Sequence, residues 1–257
     1  MSDKPEDTID DKPMPLLDHL VELRTRLMWS LAAFCVAFVI SYHFSGQIYM
    51  FLAQPLVSVM HARGEQATMV YTALYEQFLT QIKVALFMAA FISFPIVAIQ
   101  IWMFVAPGLY RSEKRVVAPF LVATPVLFVA GAALAYYVVF PMAWKFFLSF
   151  QTTGPTTGVQ ITLMAKVSEY LALVMKLIFA FGVAFELPVV LTLLAKVGII
   201  NSGQLRKFRR FAYVGLVGLA ALITPPDAIS MLSLAVPLVA LYEVSILSAR
   251  MVEPKGE

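Results

Sequence analysis

Residues 76–104 read EQFLTQIKVALFMAAFISFPIVAIQIWMF, with Glu76 and Lys83 as the only charges. A hydrocarbon core of about 30 Å needs about 20 apolar helical residues to cross it. This run exceeds that length, so it reads as a transmembrane helix. The same pattern recurs along the chain. Further spans are predicted at about Leu27–Phe44, Val116–Phe140, Val167–Ala195, Phe211–Ile223 and Ala228–Leu247. The reading is an all-α integral membrane protein of six transmembrane helices, in chain order. An acidic tail over 1–15 is expected to be disordered, the six-helix domain to cover 16–250, and a short tail to follow over 251–257. Composition agrees: 60% of the 257 residues are hydrophobic, only 14% are charged, and mean hydropathy is +0.81. Soluble domains sit near half apolar and a quarter charged.

The fifth span is the exception. Phe211–Ile223 rises only about 20 Å, short for a bilayer. Thr224-Pro225-Pro226-Asp227 breaks the chain at once, and Asp227 is placed to cap the helix that follows. Helices five and six thus read as a short hairpin, with a re-entrant pair as the alternative. Prolines inside the spans, Pro95, Pro119, Pro125, Pro188 and Pro237, each remove a helix hydrogen bond and predict kinks.

Lysine and arginine set the orientation. Lys4, Lys12, Arg24 and Arg26 precede span one. Arg111, Lys114 and Arg115 follow span two, Lys196, Arg206, Lys207, Arg209 and Arg210 follow span four, and Arg250 and Lys255 close the chain. The opposite side carries Arg63, Lys145 and Lys166. The basic side is expected to be cytoplasmic, with both termini there. The segments 45–75 and 141–166 are then external, and long enough to cap the bundle.

Enzymatic signatures are missing. The three histidines, His19, His43 and His61, form no H-E-x-x-H pair, no G-x-S-x-G elbow or P-loop occurs, and the one cysteine, Cys35, lies in an apolar run. No catalysis, cofactor or metal is expected. Charges within the spans are more informative, because a charge at mid-bilayer costs at least about 2.5–3.5 kcal/mol and faces protein or water. Glu186 is followed by Leu187-Pro188, and Pro188 frees the Ala184 carbonyl beside it, making a polar notch. Either the carboxyl serves a partner, a substrate or a proton, or it merely satisfies local backbone. Glu243 reads as near the inner interface. Lys83 with Glu76, and Lys176 with Glu169, read as interface anchors. On the basic side, Leu20, Leu23 and Leu27 form a helical stripe beside an i,i+4 pair, Glu22 and Arg26.

Five stretches together resemble the TatC family, the core receptor subunit of the twin-arginine protein translocase. They are H-L-V-E-L-R-T-R at 19–26, P-G-L-Y-R-S-E-K-R at 107–115, F-G-V-A-F-E-L-P at 181–188, I-T-P-P-D at 223–227 and L-Y-E at 241–243. Their order and spacing match over 16–250. The resemblance implies six helices arranged like a cupped hand in the bacterial cytoplasmic membrane. It implies a protein that binds twin-arginine signal peptides of folded proteins and self-associates in a receptor complex. It also implies recruitment of TatA- and TatB-type single-span subunits, with export driven by the proton motive force. Carried over by residue, it places Glu22 and Glu113 in the signal-peptide site, with His19, Arg24, Arg26 and Arg115 beside them. Glu186 becomes the intramembrane partner site. Pro55, Pro107, Gly108, Tyr110, Pro188, Pro225, Pro226, Asp227 and Glu243 are motif positions. Met231 departs from the pattern, which favours a polar residue there. Guanidinium binds carboxylate through a planar fork that lysine lacks, so two carboxylates on one surface give a reason to demand arginine. The competing reading is a secondary transporter coupled through Glu186, but the inverted repeats common in such folds are not visible in the sequence.

Overall fold

The computed structural model describes residues 16–105, 114–151, 162–196, 198–224 and 227–252. Helix α1 spans Leu16–His43 and α2 spans Ser45–Ala62; α3 covers Glu76–Val105. Next, α4 (Lys114–Leu134) passes through a π-helical turn at Ala135–Val139 into α5 (Phe140–Leu148). Then come α6 (Val167–Ala184), α7 (Leu187–Lys196), α8 (Ser202–Lys207), α9 (Arg209–Ile223) and α10 (Ala228–Val252). Two-residue strands β1 (Met69–Val70) and β2 (Ala165–Lys166) pair in parallel, a small exception to the all-α expectation.

Five stretches are long and apolar enough to cross a membrane among the described residues: His19–His43, Glu76–Phe104, Phe120–Leu148, Val167–Lys196 and Ala228–Val252. The chain is therefore a multi-pass membrane protein. The expected fifth span is α9, 15 residues long and too short for that class. Its companion α10 was expected to be short as well but runs 25 residues, because its apolar face continues past Leu247 to Val252. Span one is also longer than its apolar run, since the Leu20, Leu23 and Leu27 stripe is already helical. The expected tail at 1–15 lies outside the described residues, as do 253–257 of the tail expected at 251–257.

Helix α1 rests on α3, α4 on α6, and α7 and α9 on α10. The α4–α6 crossing depends on two glycines. A Cβ at Gly131 would lie 2.5 Å from the Phe181 carbonyl oxygen, and one at Gly182 would lie 2.6 Å from the Phe128 ring. No larger residue permits this approach.

The end of the bundle away from the basic loops is tied most densely. Pro55, expected in a loop, lies inside α2. It has no N–H for the Phe51 carbonyl, and the Tyr136 hydroxyl donates to that oxygen instead, at 2.7 Å. The Tyr170 hydroxyl donates to the neighbouring Leu52 carbonyl at 3.0 Å. Glu76, 7% exposed, accepts from the Thr72 N–H at 2.8 Å, the Thr72 hydroxyl at 3.3 Å and the Ser168 N–H at 3.4 Å, with Lys166 Nζ at 4.0 Å. It therefore knots the start of α3 to the start of α6. Lys83 and Lys176 are exposed, and Glu76 and Glu169 both face Lys166, at 4.0 and 3.8 Å, rather than the lysine seven residues on. Seven helical residues separate those groups by about 10 Å, beyond contact distance.

Candidate functional site

At the basic end, α1 presents the 19–26 motif to the last turns of α3. His19 stacks on Phe104, ring centroids 4.3 Å apart. Arg26 Nε donates to Glu22 Oε1 at 3.0 Å and a second guanidinium nitrogen donates to the same oxygen. The remaining nitrogen donates to Gln100 Oε1 on α3 at 3.4 Å. Glu22 Oε2 is buried and has no hydrogen-bond partner among the described residues. Beside it opens a cavity of about 400 Å³ lined by Glu22, Thr25, Arg26, Trp29, Gln100 and Met103. An acid with one free oxygen over an apolar-walled cavity can take a cation that brings hydrogen-bond donors and an apolar stem. Arg24 is exposed.

Glu113, Pro107, Gly108 and Tyr110 lie outside the described residues, as does the side chain of Arg115; Pro225 and Pro226 do too. Phe104, near the end of α3, is the ring stacked on His19, so the last described turn of α3 lies beside the helix that carries Glu22.

The second site is the notch between α6 and α7. Helix α6 ends at Ala184, and the Glu186 N–H bonds to the Val183 carbonyl at 3.0 Å, a tightened turn. Pro188 forbids a continuous ladder and α7 restarts at Leu187. Glu186 is buried, and neither carboxyl oxygen has a hydrogen-bond partner among the described residues. The Thr124 hydroxyl of α4 lies near it and accepts from Trp102 Nε1 at 3.2 Å. The local-backbone reading of Glu186 finds no hydrogen bond here.

The third cluster joins α9 to α10. Arg209 reaches Glu243 Oε2 at 2.6 Å, and the Tyr213 hydroxyl donates to Oε1. Asp227 Oδ2 accepts the Ser230 N–H at 2.6 Å and caps α10. Both acids thus have structural partners inside the hairpin. Sequence reasoning had not singled out Gln100, Trp102, Thr124 or Arg209. A signal existed for Gln100, an amide set alone between Ile99 and Ile101.

Comparison with known proteins follows the same motifs. Residues 18–237 match the family model described as Sec-independent protein translocase protein (TatC). A relative from Magnetococcus marinus, named Sec-independent protein translocase protein TatC, is 46% identical over 95% of this chain and 87% of its own length. One of the same name from Escherichia coli K12 is 38% identical over 94% of this chain and 90% of its own. A crystal structure of the twin-arginine translocase receptor TatC superposes with a TM-score of 0.75 at 35% identity. It covers 91% of this chain and 99% of that one.

Proposed function

The chain belongs to the TatC family and is a twin-arginine translocase receptor subunit, and from that premise we propose that Glu22 and Glu113 together read the arginine pair of a signal peptide. The observation that carries this is Glu22, whose Oε2 is buried and without a partner among the described residues and whose side chain lines a cavity of about 400 Å³. Arginine fits the demand better than lysine because its planar donors match carboxylates two at a time. The apolar segment of the signal would lie against the exposed stripe of α1, which carries Leu20, Leu27 and Leu31. Glu113 is the stronger contributor, because Pro107-Gly108 constrains its loop.

The chain sits in the bacterial cytoplasmic membrane with both termini and the 196–210 loop inside, as the Lys and Arg bias requires. Helix α9 completes six crossings as a short helix that thins the bilayer or is shielded by its neighbours. Glu186 serves the second stage. An unpaired carboxyl within a span is suited to a polar membrane residue of a TatA- or TatB-type subunit, recruited for export driven by the proton motive force.

The test is signal-peptide affinity in detergent. Arg-Arg peptides should bind tighter than Lys-Lys peptides, Glu113→Gln should weaken Arg-Arg binding about tenfold, and Glu22→Ala should weaken it less. Equal affinity for the two peptides, or a Glu113→Gln variant that loses both alike, would refute arginine reading by these acids.

A further inference from the structure

Glu22 is occupied before any signal arrives. Two nitrogens of Arg26 converge on Glu22 Oε1 while a third reaches Gln100 Oε1 at 3.4 Å. The side chains of Arg26 and Glu22 are 18% and 21% exposed, so this pair is largely shielded from water. An arginine of the chain itself therefore holds the carboxylate proposed above to receive an arginine of the signal. The grip is incomplete: both donors share one oxygen, and Oε2 stays free.

We infer that Arg26 is an internal competitor for the Glu22 carboxylate and Gln100 the acceptor to which it retreats, so that this pair sets how strong a ligand the site demands. The inference rests on the reading of Glu22 given above. A signal guanidinium that enters the cavity lined by Glu22 can span both carboxylate oxygens, which Arg26 does not do. Full engagement requires Arg26 to yield Oε1. The cavity of about 400 Å³ provides room for the swing, and Gln100 lines it. The present Arg26–Gln100 contact is long, 3.4 Å, and shortens once Arg26 is released from Glu22. Gln100 thus stabilises the displaced state more than the resting one. A competitor lowers apparent affinity by the fraction of receptor it holds closed. Ligands too weak to dislodge it are held at low occupancy.

The experiment measures binding of a labelled synthetic signal peptide, with consecutive arginines and its apolar segment, to the full chain in detergent. Arg26→Gln should bind about two- to fivefold tighter, the range a partly exposed ion pair spans. Arg26→Lys keeps the charge but loses the fork, and should still tighten binding, by less. Gln100→Ala should weaken binding in the wild-type background and do nothing once Arg26 is Gln, because its only role is to receive Arg26. A purely structural role for Arg26 gives the opposite sign, weaker binding in both Arg26 variants, and overturns the inference. Tightening in Arg26→Gln without any in Arg26→Lys reduces the effect to charge repulsion and overturns it too. So does a Gln100→Ala effect that persists without Arg26. Wild-type binding and Glu22→Ala are run alongside. If Glu22→Ala binds as well as wild type, the reading of Glu22 falls and this inference with it. If Glu22→Ala weakens binding while the Arg26 variants fail, only the competitor falls.

Discussion

Glu76 and Glu186 are equally buried carboxyls, each 7% exposed, at opposite stations of the same bundle. Glu76 sits where α3 and α6 begin and accepts hydrogen bonds from Thr72 and Ser168, with Lys166 near. Glu186 sits in the break between α6 and α7 and has no hydrogen-bond partner on either oxygen among the described residues. Burial alone therefore says nothing about role. A buried polar group with all its partners inside the chain holds the fold together, and one without them is held ready for something outside it.

The sharpest way to break this contrast is to remove the satisfied acid. Glu76→Ala strands the Thr72 and Ser168 N–H groups and leaves Lys166 without its buried partner. The loss should be about 2–4 kcal/mol, read as a lower unfolding temperature in detergent. Glu76→Gln keeps the size and one acceptor and should cost roughly half as much. A Glu76→Ala protein that unfolds at the wild-type temperature would mean that the knot is incidental.

The next effects come from the packing that places the unsatisfied acid. Gly131→Ala drives a Cβ to within 2.5 Å of the Phe181 carbonyl oxygen, which belongs to helix backbone and cannot turn aside. A loss of about 1–3 kcal/mol is expected. Gly182→Ala meets the Phe128 ring, a side chain rather than helix backbone but fully buried and stacked on Phe94 at 3.8 Å, so its loss in the same melting experiment should be no larger. A larger loss than at Gly131 would overturn this order; equal losses would show that the two helices separate as rigid bodies. Smaller again is Thr124→Val, which removes the acceptor of Trp102 Nε1–H and should cost about 1 kcal/mol.

The two acids were not equally legible in the sequence. Glu186 could be read because its peculiarity is local: Pro188 two residues on breaks the helix at any position in a fold. Asp227 was legible for the same reason, as a cap beside Thr224-Pro225-Pro226. Glu76 read only as an interface anchor with Lys83, because its partner Ser168 lies 92 residues away and only the α3–α6 contact brings them together. Pro55 read as a loop residue because its helix, α2, lies between two spans and is too short to announce itself by apolar length. Its freed carbonyl is satisfied by Tyr136, 85 residues from that acceptor, a relation no periodicity displays. The spans themselves were plain, since apolar length is a property of consecutive residues. Of the candidate signal site, the Glu22–Arg26 pair follows from i,i+4 spacing, and the contact with Gln100, 74 residues on, does not.

The smallest expected change in stability is the one that matters most for function. Glu186→Leu replaces an unpartnered buried carboxyl with an apolar side chain of similar reach, and no donor in the described structure loses its acceptor. Removing a buried polar group that has no partner is neutral or stabilising, so the variant should unfold within about 0.5 kcal/mol of wild type, or above it. Export of a folded reporter carrying a twin-arginine signal should nevertheless fail, while Arg-Arg peptide binding at the basic end is retained. Glu186→Gln keeps hydrogen-bonding capacity and should retain part of the export. Melting and export measured on the same preparations separate the two roles. A Glu186→Leu protein as unstable as Glu76→Ala would make Glu186 a second structural acid, with its partner still to be found. A stable variant with full export would leave the notch as a mere consequence of Pro188. Only stability kept with export lost matches a carboxyl that the fold leaves unpaired for another subunit.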